Sequence, residues 1–386
     1  MKFFYFIFFC FLSINFYAQD SLTINQDKAS KERKTKVEIN RTTISDEEIA
    51  KQKTFGGEQP ITTTNIEIGH SKLKLWGYCH MGYNHDFSQK KNSSEIELTR
   101  VILMAKGDLS KKISFFLMYD AVKSQLHEFY GEYAFNRSFK LRFGQYKQPF
   151  MLENIIPPTL LNNIKFDPTV LYMCGIATDP GIGNHVARDL GLMLNGDIYD
   201  KNDRAFLNYQ IGIFNGTGML VKENNKKKDV IGMLNYMPND QLTISGSFIY
   251  GYGHAENTRV DSNSDTIYFK GNDYRRHRAS LGLEYKGERI YFRTEGAYGI
   301  DNKTYLGGVY VDGEIHIIPK KFDFVAGYDY FNKNINTHHH DAVQTAIVGL
   351  QYWIYKRTRI LSEYVYTHRY GMDNKHEWIT QLQICF

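Results

Sequence analysis

Apolar and polar residues alternate with a period of two along most of the chain from residue 70 onward. In the first such stretch, every second residue from Leu73 to Tyr83 is apolar or small, while Lys74 and His80 lie on the other face. The same alternation returns at 242–250, 276–285, 289–295 and 322–330. In each stretch the charged residues lie mainly on one face and are rare on the other. This period predicts β-strands whose two faces meet different surroundings.

The connections between these stretches alternate in length. Short connections stand at 237–240, 286–288, 318–321 and 355–358, and long polar ones at 215–229, 253–273 and 332–341. Short turns at one end and long loops at the other are the layout of an outer-membrane barrel. We therefore predict an all-β fold, a transmembrane antiparallel β-barrel of about sixteen strands, over residues 70–386. Fourteen or eighteen strands stay open, as does a soluble sandwich or propeller, because alternation alone does not distinguish lipid from a protein core.

Composition narrows the classes of protein. The 386 residues include 28 Tyr and 26 Phe against 8 Pro, which favours strands. After the first 20 residues no run of 18 apolar residues occurs, so a bundle of transmembrane helices is excluded. The formal net charge is +5, and residues 70–386 carry 38 basic against 33 acidic side chains.

The N-terminus predicts export. A charged tip, the apolar run Phe3 to Leu12 and the pair Ala18-Gln19 are typical of a secretory signal peptide over residues 1–19. A lipoprotein at Cys10 is disfavoured because Phe8 and Phe9 precede it. Residues 20–69 hold 8 basic and 9 acidic side chains and predict a polar periplasmic extension, with a short helix capped by Ser45 and Glu48.

The C-terminus ends in a further amphipathic strand. In residues 377–386 the apolar face includes Trp378, Leu382 and the terminal Phe386. A final strand with an aromatic last residue resembles the signal that the barrel assembly machinery reads in outer-membrane proteins. The alternative is an ordinary strand that happens to end in Phe. We expect Phe386 to serve as this assembly signal.

One long connection interrupts the alternation. Residues 148–187 contain apolar side chains such as Leu160, Phe166 and Val170, so the segment is too apolar to extend freely into water. We predict that it folds into the barrel and narrows the lumen. An external lid or a subunit contact is the alternative.

Three segments resemble the phosphate-selective porin O and P family. The stretch LRFGQYKQPF (141–150) is similar to the family's Gly-Gln-Phe-Lys-x-Pro-Phe pattern, with Tyr146 as the aromatic residue and Gln148 before Pro149. RDLGLMLNGD (188–197) and YQIGIFNGTG (209–218) are similar to the segments that follow in that family. The resemblance covers most of 70–386 and implies a sixteen-stranded outer-membrane porin, commonly a homotrimer, with a basic lumen for small anions such as phosphate. The extension at 20–69 departs from it.

Anion transport through such a lumen would depend on guanidinium and ammonium groups on its wall. The candidates for permeation and anion binding are Arg142, Lys147, Arg188, Arg276, Arg278, Arg293 and Arg359. Each has an alternative role in a salt bridge or at the rim. Because the positive excess is small, a general pore with a mild preference for anions fits as well as a phosphate-specific one.

The remaining motifs predict no catalytic or metal site. The tract THHHD (337–341) is better explained as an exposed loop than as metal ligands, and GIGNH (181–185) lacks the spacing of a nucleotide-binding loop. The basic run at 222–229 could contact lipopolysaccharide beside the outer-membrane lipid. No nucleic-acid partner or cofactor is indicated. An outer-membrane hydrolase and an adhesive or structural barrel are the rival functions, although the chain has no Gly-x-Ser-x-Gly elbow.

Overall fold

The computed structural model describes residues 37–50, 60–68, 71–88, 93–176, 186–255, 257–337 and 339–386. The predicted signal peptide and the GIGNH motif lie outside the described residues. No helix among these residues is long and apolar enough to cross a bilayer.

The described residues form twenty strands and a few short helices. The strands are β1 Val37–Thr43, β2 Thr62–Ile68, β3 Ser71–Asp86, β4 Ser93–Asp108, β5 Ile113–Asp120, β6 Gln125–Asn136, β7 Phe139–Lys147, β8 Arg188–Tyr199, β9 Ala205–Phe214, β10 Asp229–Tyr236, β11 Leu242–His254, β12 Arg259–Val260, β13 Thr266–Tyr268, β14 Asp273–Lys286, β15 Ile290–Asp301, β16 Thr304–Ile318, β17 Phe322–Asn332, β18 Ala342–Tyr355, β19 Thr358–Arg369 and β20 Lys375–Cys385. The α-helices are α1 Asp46–Ala50, α2 Leu152–Ile155 and α3 Pro168–Met173, and the 3-10 helices are Pro158–Leu160 and Ile335–Thr337.

Sixteen of the strands form a closed antiparallel barrel. Strands β3 to β11 and β14 to β20 pair in sequence order, and β20 pairs with β3 to close the ring. The C-terminal residue completes this seam, because Phe386 and Gly77 exchange backbone hydrogen bonds of 2.9 and 2.8 Å. The predicted architecture and strand number are confirmed.

The two faces of the wall separate as the alternation predicts. On β14 the outward Leu281 is 68% exposed, whereas the inward Arg276 and Arg278 are almost fully buried. Successive residues of a strand point to opposite sides of the sheet, so a charged set and an apolar set arise from one sequence period. The apolar set covers the outside of the barrel, where lipid replaces water.

The described part of the N-terminal extension is attached to the end of the barrel with short turns. Strands β1 and β2 form a hairpin, and β2 continues onto the barrel by pairing Thr64 with Leu75 of β3. The capping box before α1 is confirmed: the Ser45 amide donates to Glu48 Oε2 at 2.8 Å, and the Glu48 amide donates to Ser45 Oγ at 3.2 Å. The Lys356 ammonium, 2.7 Å from Asp46, holds the pKa of that carboxyl below its usual range.

Candidate functional site

The long connection after β7 lies inside the barrel. Residues 150–152 and 169–170 are almost fully buried, and Cys174 is 2% exposed. The prediction that this segment enters the lumen is confirmed for its described part, residues 148–176. Helix α3 begins at Pro168, whose fixed φ suits the first helical position, and α2 follows Met151 at φ 61°.

Carboxylates of the wall hold the backbone amides of this inserted loop. The Leu152 amide donates to both oxygens of Glu295 at 3.0 and 2.9 Å, and the Ile164 amide donates to both oxygens of Glu363 at 3.2 and 3.1 Å. Burial would leave these amide groups without water, so an inward carboxylate replaces the lost hydrogen bond. The acidic positions of the inner face thereby position the loop.

Basic side chains hold the loop's carbonyl groups in the same way. Arg278 donates to the Met173 carbonyl at 2.6 Å, and Arg359 donates to the Leu161 carbonyl at 2.6 Å. Lys147 donates from its ammonium to the carbonyls of Asn154 and Ile156 at 2.8 and 3.1 Å. These are three of the seven residues predicted to contact anions, and each of them binds the loop.

Three more of the seven lie in buried ion pairs. Arg293 lies 2.7 Å from Asp312 and 3.7 Å from Glu153 of the loop. Arg276 lies 2.5 Å from Asp229. Arg188 lies 3.0 Å from Glu128. The sequence left open that these arginines form salt bridges instead of binding anions. In the structure their guanidinium groups do form salt bridges. Their role in permeation stays a prediction.

Arg142 has a different environment. Its guanidinium donates to Glu132 at 2.7 Å and lies over the ring of Tyr130, with 4.1 Å from its central carbon to the ring centroid. The side chain keeps 19% of its surface exposed. It faces a cavity of about 230 Å³ between strands β3 to β9 and the inserted loop.

The charge of this cavity is nearly balanced. Four basic residues line it, namely Lys106, Lys140, Arg142 and Lys147, and three acidic ones, namely Glu128, Glu132 and Asp197. Among the residues that the structure describes, neither Lys106 nor Lys140 has a carboxylate within 4 Å. Both were absent from the candidates taken from the sequence. Lys140 could have been predicted from the sequence, because it precedes Arg142 by two positions in the same strand and therefore lies on the same face.

The cavity lies between the inserted loop and one side of the barrel wall. Loop atoms contact the opposite wall, from Ser247 on β11 to Glu377 on β20. Ile155 and Pro157 of the loop form the cavity's inner boundary. The loop thus packs against the wall from β11 to β20, and the cavity with charged walls lies on its other side, toward β3 to β9.

Comparison with known proteins agrees with this architecture. Residues 74–157 match the family model of phosphate-selective porin O and P. No curated protein matches the sequence at a significant level.

Solved outer-membrane proteins share the fold. OmpT of Vibrio cholerae in its trimer form has a TM-score of 0.61 at 12% identity, covering 82% of this chain and 99% of that one. The anion-selective porin from Comamonas acidovorans has a TM-score of 0.60 at 10% identity, covering 82% and 100%. The channel DcaP of Acinetobacter baumannii has a TM-score of 0.59 at 12% identity, covering 82% and 97%. At these identities the similarity concerns the fold. Together the comparisons show the fold of an outer-membrane β-barrel and a similarity of residues 74–157 to the phosphate-selective porin O and P family.

Proposed function

We propose that this barrel is a porin that lets small anions diffuse passively across the outer membrane, past the charged cavity beside the inserted loop. The observation that carries the proposal is the set of four basic and three acidic side chains around the 230 Å³ cavity beside the inserted loop. The excess of one positive charge supports a mild preference for anions. Phosphate is a candidate permeant because of the family match, and the fold shared with the anion-selective Comamonas porin supports anions in general.

The mechanism follows from fixed charges in a narrow space. The low-dielectric wall focuses the field of the lining charges into the lumen, which raises the local concentration of anions. Arg142 is held by Glu132 and Tyr130, so its orientation is fixed. The ammonium groups of Lys106 and Lys140 have no close carboxylate among the described residues and are therefore available to a passing anion as point charges.

The proposed assembly follows the same comparisons. We propose a homotrimer, which the trimer form of Vibrio OmpT supports. Outer-membrane lipid and lipopolysaccharide are its proposed surroundings. Phe386 is proposed as the residue that the barrel assembly machinery recognises, a role that its position at the closing seam supports.

The test is a reversal-potential measurement in planar bilayers across a potassium chloride gradient. We expect the parent protein to prefer chloride, and Lys106→Gln and Lys140→Gln each to lower that preference. Lys201→Gln, which removes the same charge from an exposed turn, is the matched control and should leave the preference unchanged. A parent that prefers potassium, or a preference indifferent to both cavity variants, would contradict the proposal. Whether added phosphate blocks the chloride current tests the narrower proposal that phosphate is a permeant.

A further inference from the structure

A compact group of side chains lies in the lumen, away from the cavity described above. Glu314 and His316 stand two residues apart on the inner face of β16, and Asp323 lies opposite His316 in the register with β17. One ligand atom from each of the three lies within 4.8 Å of the others. The His316 Nδ1 and Asp323 Oδ1 atoms are 2.7 Å apart.

A second layer of hydrogen bonds orients Asp323. Its other carboxylate oxygen, Oδ2, accepts hydrogen bonds from Gln351 Nε2 at 2.8 Å and from Trp353 Nε1 at 2.6 Å. These two donors occupy Oδ2 and leave Oδ1 directed toward His316. The same Gln351 amide lies 3.4 Å from Glu314 Oε1. Metal ligands in proteins are commonly oriented by such outer hydrogen bonds.

The protein contains a simpler histidine–aspartate pair for comparison. His254 Nδ1 and Asp273 Oδ1 lie 2.8 Å apart, with about a quarter to a third of each side chain exposed. Within the described ranges, that pair has no third ligand side chain grouped with it. At His316 a second carboxylate is present, and Asp323 is only 1% exposed. The two carboxylates repel each other at this distance, and a cation bound between them removes that repulsion.

We propose that Glu314, His316 and Asp323 bind a divalent transition-metal ion of the zinc class. One imidazole nitrogen and two carboxylate oxygens are a ligand set that Zn²⁺ accepts, with a water molecule in the fourth position. The nitrogen ligand disfavours Ca²⁺ and Mg²⁺, which prefer oxygen atoms alone. Binding through Nδ1 requires that nitrogen to be unprotonated, so the ion replaces a proton that otherwise lies between His316 and Asp323.

The site is reachable and is connected to the inserted loop. The His316 side chain keeps 21% of its surface exposed, close to the turn at 319–321. On the other side, Gln351 accepts a hydrogen bond from Arg359, which also donates to the Leu161 carbonyl. A bound divalent ion that replaces one proton adds one net positive charge to the lumen, so it is expected to increase the preference for anions. That electrical consequence rests on the proposed function, whereas binding of the ion does not.

The binding test is titration calorimetry of the untagged, full-length porin in detergent with zinc chloride. We expect His316→Ala and Asp323→Asn each to weaken Zn²⁺ binding at this site at least about tenfold. His254→Ala, which removes the paired histidine that lacks a third ligand, should bind as the parent does. The histidines at 338–340 are unchanged in all variants, so any binding there is common to all of them. Heat-modified gel mobility confirms that each variant is folded.

Two results would overturn the proposal. One is Zn²⁺ binding that is equal in the parent, His316→Ala and Asp323→Asn. The other is a site that takes Ca²⁺ in preference to Zn²⁺. A further variant, Trp353→Phe, removes one hydrogen bond to Asp323 and should weaken binding about tenfold without removing a ligand.

The electrical measurement separates this proposal from the transport proposal. Zn²⁺ added to the bilayer chamber should shift the reversal potential toward anions in the parent and His254→Ala, but not in His316→Ala. If calorimetry shows the site and the parent nevertheless prefers cations, the metal site stands and the anion function fails. If the parent prefers anions and calorimetry shows no loss in His316→Ala, the metal site fails alone.

Discussion

Arg278 on the barrel wall donates a hydrogen bond of 2.6 Å to the backbone carbonyl of Met173 in the inserted loop. The same guanidinium contacts Asp301 at 3.1 Å, so it links the loop to two strands of the wall. In open solvent the Arg278 side chain would be suited to bind an anion. Here it donates to a buried carbonyl the hydrogen bond that water would otherwise donate. The position of the loop therefore depends on charged side chains buried in the wall.

Removal of Arg278 should loosen the loop. Arg278→Ala removes the shorter ion pair of the buried Asp301 carboxylate and leaves it Arg259 at 3.7 Å, and breaking a buried pair costs about 3–5 kcal/mol. Cys174, which is buried beside the Phe150 carbonyl, reports on the loop. In a Cys79→Ser, Cys385→Ser background, we expect a maleimide to leave the parent unlabelled and to label the Arg278→Ala variant.

Arg275→Ala is the control for this experiment. Arg275 lies on the same strand and donates to the Asn302 carbonyl in an exposed position. Its removal should leave Cys174 protected. Equal labelling of the two variants would show that the anchor at Met173 does not hold the loop.

A methyl group at Gly308 should disturb the loop from the opposite side. A Cβ atom there would overlap Thr169 Oγ1 at the second residue of α3, whereas a Cβ atom at Gly131 would meet no atom within 4 Å. Gly308→Ala is therefore expected to lower thermal stability by about 1–3 kcal/mol through overpacking, and Gly131→Ala to leave it near the parent value. Heat-modified gel mobility measures both variants, and an unchanged melting temperature for Gly308→Ala would contradict the close packing of Thr169.

Arg142 and Arg293 should differ in their effects on selectivity. Arg142→Gln removes the guanidinium that pairs with Glu132 beside the cavity, so the reversal potential should shift toward cations. Glu132→Gln, the reciprocal change, should shift it toward anions. Arg293→Gln should leave selectivity unchanged and lower stability by about 3–5 kcal/mol, because Arg293 neutralises Asp312 in a fully buried pair. A selectivity change in Arg293→Gln at unchanged stability would place that side chain in the permeation path.

The terminal aromatic residue should matter for assembly. Phe386→Ala keeps the backbone hydrogen bonds to Gly77 but removes the ring, and we expect it to reduce the amount of porin in the outer membrane several-fold. Trp378→Ala is the matched control, because it removes an outward aromatic ring from the same strand. Quantitative blotting of outer-membrane fractions measures both. If both variants reduce the amount in the outer membrane equally, the cause is the loss of apolar surface and not recognition of the C-terminal aromatic residue.

The wall of the barrel could be predicted from the sequence because the alternation of apolar and polar residues is visible within each strand. Alternation at 276–285 already separates Arg278 from Leu281, and the terminal strand needs only its own residues to be recognised. The lumen contacts depend on pairs far apart in sequence, such as Arg359 with Leu161 or Glu295 with Leu152. Nothing in the local pattern around Arg359 distinguishes a guanidinium that binds backbone from one that meets a permeant ion.

The same reason explains what was missed at the cavity. Lys106 and Lys140 became relevant only because the loop packs against the opposite wall, where it contacts three of the candidate arginines, Arg278, Arg293 and Arg359. That the loop folds into the lumen could be predicted from its apolar residues. Its direction could not, because it depends on the distribution of carboxylates over β15, β17 and β19.

The N-terminal hairpin of β1 and β2 pairs with the same strand, β3, to which the last strand of the barrel pairs. Strand β2 occupies the edge of β3 from Ser71 to Leu75, so the last strand can pair only beyond that point, from Tyr78 to Asp86. The chain end then meets Gly77 directly after the hairpin's last paired residue. A slip of the final strand toward the hairpin would displace existing β2 hydrogen bonds. We therefore expect the extension to limit the register of β20 against β3, which is one contribution to the shear of the closed barrel.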